Sequence, residues 1–72
     1  MDELVQQASC NMAMALVKLG EIDKALENLI VAVKGPLVKT IKKSYYWMCK
    51  CYVLKLDFAK AKQTIEKMKS LE

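Results

Sequence analysis

Lys18-Leu19-Gly20-Glu21-Ile22-Asp23-Lys24-Ala25 is answered 36 residues later by Leu54-Lys55-Leu56-Asp57-Phe58-Ala59-Lys60-Ala61. In both stretches one apolar-periodic segment ends, a short turn follows, and a second periodic segment begins. Gly20 stands where a helix closes on a left-handed residue, a conformation that glycine takes without steric penalty. A repeat of this length, built as helix, tight turn and helix, marks a helical solenoid. Such an architecture predicts a binding surface and argues against a catalytic pocket.

Four helices extend outward from these two turns. The first is predicted over about residues 3–19, where Val5, Ala8, Met12, Ala15, Leu16 and Leu19 recur at helical spacing. The second, over about 23–33, carries Ala25, Leu26, Leu29, Ile30 and Val33 on a wide apolar face, with Glu21 and Asp23 at the positive end of its dipole. Gly35-Pro36 is expected to end it, the glycine as a cap and the proline as the first residue of helix three. Helix three runs over about 37–54 and carries Ile41, Tyr45, Met48, Cys49 and Tyr52. Asp57 is a suitable N-cap for helix four, over about 58–71. Turns this short make each pair antiparallel. No segment alternates with period two for long enough to form a strand, and no linker breaks the chain, so a single all-α domain is expected.

The 72 residues are 54% apolar, too hydrophobic and too regular for disorder. The longest apolar runs, 12–17 and 29–33, fall far short of the ~20 residues that span a bilayer. No basic segment leads into an apolar core at the N-terminus, so a soluble, cytoplasmic protein is the expectation. Three cysteines, Cys10, Cys49 and Cys51, do not make a disulfide framework and suit a reducing compartment. Charge is unevenly spread. Residues 1–36 hold three Lys against five acids, a net −2, whereas residues 37–72 hold nine Lys against three acids, a net +6. All the basic residues are Lys. The absence of Arg weakens a base-reading role, while an acidic partner suits the second half.

The order of large and small residues resembles the tetratricopeptide repeat (TPR) family. In repeat one, about 6–35, Met12 and Ala13 match the large–small pair of its first helix, and Leu16 its aromatic. Gly20 matches the turn glycine, Ile22 the apolar residue after it, and Ala25, Leu29 and Ala32 the small, large and small positions of the second helix. In repeat two, about 38–72, the equivalents are Met48, Cys49, Tyr52, Leu56, Phe58, Ala61, Ile65 and Met68, and Tyr45 fits the first aromatic position. Leu56 in place of glycine, Met68 in place of a small residue and a period of 36 instead of ~34 are departures. The resemblance implies two antiparallel hairpins stacked as a short right-handed solenoid. Helix four, with Lys62, Glu66 and Lys69 where helix two has Leu26, Ile30 and Val33, reads as a polar cap. The N-terminal end has no such cap, so a homodimer or a place in a larger TPR protein is expected to cover it.

The resemblance also implies a concave groove lined by the first helix of each repeat. Its residues would be Gln7, Cys10, Asn11, Met14, Val17 and Lys18, then Lys43, Tyr46, Trp47, Lys50 and Leu54. Lys beside aromatic anchors would suit an acidic peptide or partner segment. Trp47 has two readings, as a partner contact or as part of the core. Cys10 and Met14 stand where the carboxylate-clamping members of the family carry Lys and Asn beside the position of Asn11, which argues against that ligand.

No His, no glycine-rich phosphate loop and no nucleophile–base pattern is present, so neither an enzyme nor a cofactor is expected. Cys49-Lys50-Cys51 would point its sulfurs apart on a helix and reads as packing, with no metal site. The leading function is protein–protein interaction. Two alternatives stay open: single-stranded RNA binding in the manner of pentatricopeptide repeats, and an excised or designed repeat fragment without independent function.

Overall fold

Asp2 starts the chain's first helix by accepting a hydrogen bond from the Leu4 backbone N–H at 2.7 Å. In the computed structural model, which describes residues 1–71, four helices follow one another and no strand occurs among the described residues. They are α1 (Glu3–Lys18), α2 (Ile22–Ala32), α3 (Val38–Leu54) and α4 (Phe58–Lys69). Their bounds match the periodicity to within two residues. Residue 72, the expected end of repeat two, lies outside the described residues. Asp57 caps α4 as expected, accepting from the Lys60 N–H at 3.2 Å. Pro36 does not open α3, because Leu37 is the N-cap and Val38 the first helical residue. No described helix is long and apolar enough to cross a membrane.

The two turns share one geometry. After α1, the Gly20 N–H donates to Val17 O at 3.0 Å and the Glu21 N–H to Leu16 O at 2.9 Å. After α3, the Leu56 N–H donates to Val53 O at 2.9 Å and the Asp57 N–H to Tyr52 O at 2.8 Å. Both are the paired closure in which a left-handed residue lets the chain satisfy the last carbonyls of its helix. Gly20 adopts φ +81° and Leu56 adopts φ +61°. The leucine therefore keeps the turn at a steric cost that the glycine avoids.

α1 packs on α2 and α3 on α4, as two helical hairpins, while α3 also rests on α2 and α1. Small residues permit the close approach: Ala13, Ala25 and Ala32 are fully buried and Ala61 nearly so. Leu29, Met48 and Cys51 fill the space between them. The cysteine buried on α3 is Cys51, and the expected Cys49 is only half-buried. Ser44 and Thr64 are buried because their hydroxyls turn back onto Thr40 O and Lys60 O, one helical turn earlier. Tyr45 and Tyr52 are half-buried and pack against the core.

α1 turns most of the stripe marked by its apolar periodicity outward, and of that stripe Leu16 packs against the core. Val5, Met12 and Leu19 are 51%, 55% and 76% exposed, and Ala8 and Ala15 are also open. The helix lays Gln6, Cys10 and Ala13 inward instead. Gln6, fully buried, explains the choice. Its amide donates to Ala32 O at 2.9 Å and Leu37 O at 3.1 Å, and its carbonyl accepts from the Leu37 N–H at 2.8 Å. One side chain thus bonds three main-chain groups of the α2–α3 connection; the Ala32 and Leu37 carbonyls also accept from the Gly35 and Ile41 N–H groups, whereas the Leu37 N–H would be stranded without it. Gly35 makes room for it, since a Cβ there would stand 2.3 Å from Gln6 Cδ. Spatial clearance, with no positive φ, is the role of this glycine.

Candidate binding grooves

Because Gln6 pins the first turn of α1 to the start of α3, the outward neighbours of both meet across a cleft. Gln7, Cys10 and Asn11 of α1 face Lys39, Thr40 and Lys43 of α3 around a volume of about 230 Å³. No carboxylate lines it. Lys39 and Lys43 lie one turn apart on the same helix, where like charges repel by a few tenths of a kcal/mol, so an anion between them is favoured. The amides of Gln7 and Asn11 bring donors and acceptors to the opposite wall. Cys10 is 2% exposed and forms only the floor, because a thiol packs there as a small apolar group.

Further along α3, Tyr46 and Trp47 meet edge to face, with centroids 6.2 Å apart at 89°. Lys50, one turn on, places its Nζ 4.8 Å from the Trp47 ring and 5.7 Å from that of Tyr46. The indole itself is half-buried against the core. Trp47 thus meets its core reading on one side, while Lys50 of the same helix lies over its ring.

A second groove, of about 490 Å³, opens between α3 and α4. Cys49, Val53, Ile65 and Met68 form its apolar floor, and Tyr46, Lys50 and Leu54 its edge. The residues expected to line one continuous surface are therefore divided. Gln7, Cys10, Asn11 and Lys43 share the first cleft; Tyr46, Lys50 and Leu54 belong to the second. Val17 packs against the core, and Met14 and Lys18 line neither groove. Lys39 and Thr40 were absent from the expectation. Their signal was helical spacing, since Lys39 precedes Lys43 by one turn.

No family model, curated protein or solved structure matches this chain. Among the described residues no three His, Cys, Asp or Glu side chains converge as a metal site would require. Burial pushes the Cys51 thiol above its ordinary pKa, which keeps it protonated and unreactive at neutral pH. Lys55 is held protonated more firmly than usual, chiefly by its hydrogen bond to Asp23 and then by that carboxylate's charge. This exposed pair links the start of α2 to the end of α3.

Proposed function

We propose that the chain is a TPR-like interaction module, two hairpins stacked as a short right-handed solenoid, that binds an acidic peptide in the α1–α3 cleft. The observation that carries this reading is a cleft with Lys39 and Lys43 on one wall, Gln7 and Asn11 on the other, and no acid among them. Lysines steer and pair with carboxylates, while the amides can bond the main chain of an extended segment. Trp47 lies one turn beyond Lys43 and offers aromatic area to a neighbouring side chain of the ligand. Three unpaired thiols suit a module working in a reducing, cytoplasmic compartment. Binding, with no bond made or broken, is the whole of the proposed activity.

Trp47, the single tryptophan, reports the event by fluorescence. A labelled acidic peptide should bind the native protein, and Lys39→Glu with Lys43→Glu should weaken it by about tenfold or more. Lys69→Glu on α4 should leave affinity nearly unchanged. Equal loss in both variants would place the contact elsewhere. Binding of single-stranded RNA with a steep salt dependence, and no response to peptide, would replace this reading with the nucleic-acid one.

A further inference from the structure

The chain carries, at opposite ends, the two halves of a junction it already makes internally. Shifting α1 by 36 residues lays Ala8, Met12 and Ala15 onto Ser44, Met48 and Cys51 of α3. Those three α3 residues are 0%, 7% and 0% exposed, and Met48 and Cys51 share one core cluster with Ala13 and Leu29. The three α1 residues are all exposed, Met12 at 55%. The same shift relates the floor of the α3–α4 groove, Cys49, Val53, Ile65 and Met68, to Ala13, Val17, Leu29 and Ala32. In the first hairpin that surface is covered: Ala13, Leu29 and Ala32 are fully buried and Val17 packs beside them. In the second hairpin it stands open: Lys62, Glu66 and Lys69, the expected polar cap, are exposed and do not line the groove.

We infer that the α1 face of one copy docks into the α3–α4 groove of a second copy, head to tail. What α3 does to the first hairpin within a chain, α1 of one molecule does to the second hairpin of another. The knobs are chemically equivalent, with methionine at the centre of both faces and small residues one turn to each side. Charge favours the approach over distance, because the −2 half of one molecule meets the +6 half of the next, while α1 itself, with Glu3 and Lys18, is neutral at the contact. The contact uses different surfaces on the two molecules, so it does not close on itself and continues into short open chains. Lacking the tether that joins the hairpins within a chain, it forms only as concentration rises. Acidic-peptide binding in the α1–α3 cleft uses other side chains and is independent of it.

Sedimentation velocity from about 10 μM to about 1 mM tests the inference. Mean mass should grow with concentration beyond that of a dimer. Met12→Glu removes the knob and Val53→Glu the socket; both sites are more than two-fifths exposed, so the fold should tolerate them. Either variant alone should stay monomeric, its association weakened at least about tenfold. An equimolar mixture should form one heterodimer and stop, since Val53→Glu keeps a knob and Met12→Glu keeps a socket. Ala15→Lys and Ile65→Lys provide a second knob–socket pair, should circular dichroism show either first variant unfolded. A wild-type chain monomeric throughout would leave both faces to another polypeptide and overturn the inference. Loss of association in Met12→Glu alone, with no rescue on mixing, would also overturn it, by indicating a symmetric α1–α1 contact.

Discussion

Gln6 ties the first turn of α1 to the α2–α3 connection through three hydrogen bonds. It is a glutamine in the first turn of a surface helix, a position where polarity ordinarily signals solvent. Its burial cannot be read from the sequence, because the three groups it bonds lie 26 and 31 residues away. Gln6→Ala should cost about 2–3 kcal/mol in urea unfolding, combining the stranded Leu37 N–H with a cavity. That is a large share for a small domain, whose stability runs at about 0.05–0.15 kcal/mol per residue. Gly35→Ala should also destabilise the native protein, yet be nearly neutral once Gln6 is alanine. Additive losses in that double-mutant cycle would mean that the two residues do not share a contact. Cys51 is a second case in which burial sets chemistry. Its folded pKa is raised, so the unfolded chain gives up the thiol proton first, near about pH 8.5. Stability should be fully retained below that pH and decline as pH rises through the folded value. Cys51→Ala should show the shallower alkaline decline of the two proteins, and parallel curves would count against this account.

At the scale of the elements, helix positions were legible because caps and turns are local chemistry. Asp57, Gly20 and the 3.6-residue periodicity sufficed to locate every helix to within two residues. Leu56 shows where local preference yields to the fold. A leucine disfavours φ +61°, but the closure of α3 requires it, and the residue is 76% exposed, so little packing opposes replacement. Leu56→Gly should raise stability by about 0.5–1 kcal/mol, net of the extra freedom that glycine gives the unfolded chain. For a domain of this size that corresponds to a gain of several degrees in Tm, on the order of 2–8 °C. An unchanged or lower melting temperature would show that the leucine side chain contributes contacts that outweigh its strain.

Across the whole molecule, the Cα extents of 32 × 29 × 13 Å describe a thin slab, and a thin slab leaves much apolar surface uncovered. Two such surfaces, the α1 face and the α3–α4 groove, are counterparts under the 36-residue repeat, whereas the lysine-lined cleft lies between α1 and α3. The expected single groove was legible as a set of helix faces, because spacing along one helix decides which residues are neighbours. Its division into two was not, because that depends on how α3 settles between α2 and α4. By itself the sequence determined the helices, their turns, the repeat and the charge asymmetry, all set by interactions between residues close along the chain. Only the tertiary structure decided which face of α1 turns inward. Periodicity marks an apolar stripe without saying what covers it, and a buried amide bonded across the fold turned most of that stripe outward.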